Sequence, residues 1–138
     1  MQQLKYTDNQ NGKLFADCWG DIRLSDPHKF WAGNMVEVHL RKYFLGTAEV
    51  IGYKEFCFKR LTDTMSHLNS GKSTAQQGRL LRFYYQNAAP ITDDTILMHI
   101  VLKWKKRNME VQAQLMADWW RGKEEEFPYL SAKENQFL

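Results

Sequence analysis

The sequence predicts an α+β fold: a small β-barrel of about five or six strands, mostly antiparallel, with helices over one side and an appended C-terminal helix. Three observations carry that expectation. The segment "MVEVHLRKYFLGTAEV" alternates apolar and polar residues on both sides of a charged tip, as a hairpin with one buried face does. "TILMHIVLKW", residues 95–104, is apolar on both faces, as a strand inside a sheet must be. Two later segments switch to helical spacing, and one of them opens with Ser73 and Gln76 at capping-box distance.

Taken in chain order, residues 1–13 read as a polar lead-in. In "LFADCWGDIRL" a period of two puts Leu14, Ala16, Cys18, Ile22 and Leu24 on one face. Phe15, Asp17, Trp19, Asp21 and Arg23 fall on the other, and alternation assigns Cys18 to the core side as a buried, inert thiol. Pro27 and Gly33 mark a turn. Val36, Val38 and Leu40 then point inward, with Glu37, His39 and Arg41 outward. "KYFLG" forms the hairpin tip, and "TAEVIGYKEFCFKRL" returns with Gly52 as a bulge or bend. "TDTMSHL" reads as a short capped helical turn, broken by "NSGK". In the helix that Ser73 caps, Leu81 and Tyr84 face inward near Leu80. "KKRN" ends the apolar strand. The last helix presents Met109, Ala113, Met116 and Trp120 as a docking stripe, and Gly122 and Pro128 limit it. A single domain over 1–138 is expected, with the barrel at 12–107 and the appended helix at 108–124.

Composition narrows the function classes. With 138 residues, 43% of them hydrophobic, the chain can bury a core and lacks the composition of a disordered one. A net charge of +3 permits a polyanionic partner without requiring it. The longest apolar run, "ILMHIV", falls well short of the ~18 residues that a membrane helix needs, so no membrane partner is expected. No apolar leader follows Met1, and Cys18 and Cys57 form no C-x-x-C pair, so a cytoplasmic setting with reduced thiols is expected. His28, His39, His67 and His99 lie in different elements at no metal-ligand spacing, so neither metal nor cofactor is expected.

Two motifs invite over-reading. "SGKST" resembles a phosphate loop, but Ser66 stands where the pattern requires glycine and no buried strand precedes it. "KWKKR" resembles a nucleic-acid patch, yet a solubilising end to an apolar strand accounts for it equally well. A polyanion surface would need Arg23, Lys29, Arg41, Lys54, Lys59, Arg79 and Arg82 on one side.

Several short motifs, in order, resemble the ASCH branch of the PUA-like superfamily. "GDIR" ends the first strand at Arg23, and "GNMVEVHL" supplies Gly33, Val36 and Val38. "GTAEV" supplies Gly46, Ala48 and Val50, a helical region follows at 62–86, and "DDTILMHIVLKW" fits the late strand. The resemblance implies a partly open barrel that binds RNA or nucleotides in a cleft beside the first strand. Some small members resemble enzymes that deacetylate N4-acetylcytidine with a lysine and a threonine on that strand and a later glutamate. Aligned on Arg23, those two positions hold Cys18 and Asp21, and 71–86 contains no glutamate.

The leading expectation is therefore an RNA- or nucleotide-binding module. Arg23 would clamp a phosphate or a base edge, with Trp19, Asp21, Lys29, Trp31, Arg41 and Tyr43 around it and the aromatics stacking a base. A competing expectation leaves Arg23 paired with Asp21 or Asp26, organising the loop. A second reading is an amidohydrolase-like enzyme for a modified nucleoside, with Asp21, His28 or His39 as general base. A third is a protein-interaction domain, or a homodimer, using the Trp119/Trp120 helix.

Overall fold

The computed structural model describes residues 1–88 and 90–126. A five-stranded sheet in the order β1-β3-β4-β5-β2 is built from β1 (Gln2–Tyr6), β2 (Cys18–Leu24), β3 (Met35–Leu40), β4 (Tyr43–Cys57) and β5 (Ile96–Arg107). β1 pairs with β3 in parallel, and the other three pairings are antiparallel. The sheet is curled into a half-barrel whose two edges are β1 and β2. Side chains join those edges: Arg23 of β2 donates to the Lys5 carbonyl of β1, and Tyr6 of β1 donates to Asp21 of β2. Register shifts at Val38/His39, Thr47/Ala48 and Val50/Gly52 supply the extra bend, since each bulge kinks its strand and adds twist.

Gly46 shows how tightly the curl is made. Its φ is +136°, and a Cβ there would stand 2.1 Å from the Lys106 carbonyl oxygen. Only glycine lets the backbones of β4 and β5 approach so closely at the shift.

Inside the curl, Leu4, Val36, Val38, Val50, Ile100 and Leu102 form a sealed apolar core, with Trp19 against Trp104 at 4.8 Å between ring centroids. A smaller cluster of Ile22, Leu61, Leu81 and Leu97 packs α1 (Asp63–Ser70) and α2 (Thr74–Tyr84) over the other face of β2. Thr62 caps α1 by accepting from the Met65 amide, and Gly71 ends it in the left-handed conformation. The expected capping box of Ser73 and Gln76 starts α2. The third helix, α3 (Met109–Glu126), lies on the core through Val111 and Leu115, and Gln112 donates to the Leu45 carbonyl at 2.6 Å.

Several expectations change. The supposed lead-in contains β1, because Leu4 and Tyr6 alternate with polar residues and are buried. Residues Gln10–Phe15 form a 3₁₀ turn, not the start of a strand, so β2 begins only at Cys18. Both faces of β2 are covered, Trp19 and Asp21 on one and Ile22 on the other, and Cys18 at the start of the strand is exposed. Tyr84 is exposed while its neighbour Tyr85 packs inward. β5 continues through "KKR" to Arg107. On α3 the stripe of Met109, Met116 and Trp120 is exposed, and the docked row runs through Val111 and Leu115; Trp119, itself partly exposed, meets Phe15 edge-on at 5.9 Å. Polar Gln112 belongs to the docked face because it satisfies a strand carbonyl, which disguised that face in the apolar pattern. Gly122 lies inside α3, and Pro128 falls outside the described residues. No helix among the described residues is long and apolar enough to cross a membrane.

Substituting Gly46→Ala is expected to destabilise the fold by at least about 2 kcal/mol, since it adds both backbone strain and a backbone clash. Chemical denaturation checks this, and an unchanged midpoint would contradict the account of the curl.

Candidate functional site

The side chains that close the half-barrel also build a cleft. β2 alternation places Trp19, Asp21 and Arg23 toward β1. The Trp19 indole donates to the Tyr6 hydroxyl at 2.9 Å, which donates to Asp21 Oδ2 at 2.9 Å. Arg23 Nε donates to the same oxygen at 2.6 Å, and Arg23 Nη2 donates to the Lys5 carbonyl at 2.9 Å. The guanidinium also lies 4.9 Å from the centre of the Tyr6 ring. From the 3₁₀ turn, Lys13 Nζ reaches Asp21 Oδ1 at 3.4 Å and donates to Asn69 Oδ1 of α1 at 2.9 Å. Asn69 Nδ2 in turn donates to Gln77 Oε1 of α2 at 3.2 Å.

These groups wall a cleft of about 230 Å³. Lys13, Asp21, Arg23, Asn69, Gln77 and Tyr85 line it, with the exposed Lys5, Asp8 and Tyr84 also at its walls. A single carboxylate, 5% exposed, faces two cations, so the closed cluster carries one net positive charge. Burial alone would raise the Asp21 pKa; the charges of Arg23 and Lys13 and the hydrogen bonds from Arg23 and Tyr6 outweigh it and hold the carboxyl at about 2. Burial lowers the Lys13 pKa, with Asp21 opposing it only in part. Burial raises Tyr6 well above its ordinary value, reinforced by Asp21, and burial also raises Tyr85. Both phenols therefore keep their protons.

The expected site residues do not converge as a group. Asp21 and Arg23 line the cleft, and Trp19 stands behind it, sealed into the core and bonded to Tyr6. The pairing of Arg23 with Asp21 is formed. Lys29 rests over Phe30; its pKa is lowered first by burial and then by Arg23. Trp31 is exposed beside Gly33 on another surface. Arg41 and Tyr43 line a separate groove with Leu115 and Trp119. His28 is exposed, and His39 sits 3.3 Å from Glu37 and against Phe44. Within "KWKKR", Lys105 pairs with Glu49 and Arg107 with Asp17. Neither His28 nor His39 reaches the cleft wall.

Five of the residues that make the cleft escaped sequence reading: Tyr6, Lys13, Asn69, Gln77 and Tyr85. Tyr6 could have been found from its alternation with Leu4. Asn69 and Gln77 belong to two helices joined by a turn, and no spacing rule announces that their amides meet. Among the described residues, no group of three or more His, Cys, Asp or Glu side chains is placed to hold a metal ion.

The fold and seam define a class: an α+β protein whose mixed five-stranded sheet is curled into a half-barrel with a polar cleft where its edges meet. No family model and no curated protein matches the chain. Among solved structures it is similar to the crystal structure of protein EF3133 from Enterococcus faecalis V583, described by the family model DUF984. The TM-score is 0.60 over 82% of each chain, at 10% sequence identity, a likeness that shows the fold.

The ion cluster predicts a specific acid response. The folded pKa of Asp21, about 2, lies below the unfolded value of about 3.9, so its contribution is complete above pH ~4 and is lost as pH falls toward 2. Asp21→Asn should lack that part of the slope and, by leaving the partly buried Arg23 and Lys13 without their carboxylate, should cost up to about 3–5 kcal/mol near neutral pH. Denaturant titrations between pH 2 and 7 measure both. Parallel curves for the two proteins below pH 4 would contradict the pairing.

Proposed function

We propose that this chain is a binding module for RNA or a nucleotide-like ligand, held in the cleft at the seam between β1 and β2. One observation carries the reading: two partly buried cations share one buried carboxylate in a concave site, which attracts an anionic ligand. The cleft, at about 230 Å³, is smaller than the ~300–1,000 Å³ of drug-sized pockets, so one nucleotide unit or part of it enters while the remainder stays outside. The exposed Tyr84 at the wall, with Phe83 edge-on to it at 6.0 Å, offers aromatic surface for a base. The curled sheet also agrees with the barrel that the ASCH-like motifs led us to expect, although the residues that make the cleft differ from those the motifs suggested.

A second reading, an amidohydrolase-like enzyme for a modified nucleoside, draws on Lys13. The lysine missing from position 18 of the strand has a counterpart in space, delivered by the 3₁₀ turn and held at a lowered pKa by burial. A desolvated amine of this kind can accept a proton or attack a carbonyl. Asp21 is a poor base for such chemistry, because both of its oxygens already accept hydrogen bonds and its pKa is about 2.

Fluorescence anisotropy with labelled single-stranded RNA across a salt series tests the binding reading. Wild type is expected to bind with an affinity that falls as salt rises, and Arg23→Ala, checked for folding by its thermal melt, is expected to bind at least about tenfold more weakly. Negligible binding by both proteins overturns the reading. Release of acetate or ammonia from modified nucleosides by the wild type would favour the enzyme instead.

A further inference from the structure

Hydrogen-bond direction in the cleft can be traced from one fixed point. Lys13, paired with the Asp21 carboxylate as an ammonium in the binding reading, donates to the Asn69 atom 2.9 Å away, which is therefore its oxygen. Asn69 Nδ2 must then donate, which fixes the facing Gln77 atom as oxygen, and the Ser70 hydroxyl also donates to that oxygen. Flipping either amide would set donor against donor. The chain of bonds therefore ends on Gln77 Nε2, which has no acceptor among the described residues. Gln77 is only 3% exposed and lines the cleft. Asn9 Nδ2 is the sole unpartnered side-chain polar atom fully closed off from solvent among the described residues, so Gln77 Nε2 keeps its contact with the cleft.

The neighbouring groups repeat the pattern. The Tyr85 hydroxyl accepts from the Leu24 amide and still has its own proton to give. Arg23 spends Nε and Nη2 on Asp21 and the Lys5 carbonyl, and its guanidinium also donates to the Tyr85 hydroxyl. The acceptors of Asp21 are occupied by Tyr6, Lys13 and Arg23. The inner wall thus offers donors and one net positive charge, and the carboxylate of Asp8 belongs to the exposed part of the lining.

We propose that the cleft takes the phosphate group of its nucleotide ligand and leaves the base outside, against Tyr84. The inference rests on the nucleotide-binding reading and adds an orientation to it. A phosphate carries acceptor oxygens and negative charge, which match the unspent donors of Gln77 and Tyr85 and the net charge of the cluster, while Thr7, Asp8 and Gln10 add acceptors elsewhere in the lining. The pairing edge of each base carries at least one donor, which would meet another donor at Gln77 or Tyr85. An outside base contacts an aromatic face, which accepts any base.

Isothermal titration calorimetry on the full chain tests the orientation with the four ribonucleosides, their 5′-monophosphates and inorganic phosphate. The monophosphates are expected to bind at least about tenfold more tightly than the nucleosides, with little preference among bases, and inorganic phosphate is expected to compete with them. Gln77→Glu keeps an oxygen for Asn69 and Ser70 but turns the free donor into an acceptor, and should weaken monophosphate binding at least about tenfold. Tyr85→Phe, which removes one hydroxyl, should weaken it less and provides the test if Gln77→Glu melts early. Nucleosides binding as tightly as monophosphates, a strong preference for one base, or monophosphate binding unchanged in folded variants would overturn the orientation and leave nucleotide binding standing. Failure of nucleosides, monophosphates and RNA alike to bind would overturn both.

Discussion

Everything distinctive in this molecule turns on the carboxylate of Asp21. It accepts from β1 through Tyr6, from its own strand through Arg23 and from the 3₁₀ turn through Lys13. The sheet has two edges, and no strand ladder joins them; this carboxylate and its three donors stand where a barrel would place further backbone pairing. Hydrogen bonds to a charged group contribute about 1.5–3 kcal/mol each, more than neutral ones, which suits a seam made from so few contacts.

The choice of charges for this closure has a physical consequence. An apolar seam would hold the edges equally well, because burying ions costs much of what their pairing returns. A trio of two cations and one anion instead leaves positive charge and free donors beside a cleft. In the proposed reading, closure and ligand recognition are one structure. The helices take part in the same way: Asn69 and Gln77 are buried polar residues whose amides extend the donor chain from Lys13 across α1 and α2.

The scaffold was far more legible in the sequence than the site. Clean alternation in β3, the two-sided apolar run in β5 and the Ser73–Gln76 cap were local signals, and local physics fixes each of them. The seam is different in kind. Tyr6 and Asp21 are 15 positions apart, and Lys13 and Asn69 are 56 apart, so their contacts exist only after the sheet curls and the helices dock. Arg23 and Asp21 were legible because they share one strand face with two-residue spacing. Trp31 and Tyr43 stand out by residue type and loop position and Arg41 by its outward place on the strand, and the curl carries all three to other surfaces. The 3₁₀ turn replaced the expected start of β2, and Cys18 became the first residue of the strand, exposed although it shares a face with the buried Ile22; alternation tells which face a residue takes and not how far along the strand that face is covered.

The most direct test of the seam is the titration of the Asp21 carboxyl itself, followed by carbon-detected NMR in the folded protein. If the carboxylate is held between Arg23, Lys13 and Tyr6 as described, it should remain ionised down to a pKa of about 2 and report a single buried environment. An Asp21 carboxyl that titrates near the ordinary value of about 3.9 would show that the cations do not hold it, and the account of how this half-barrel closes and binds would fail.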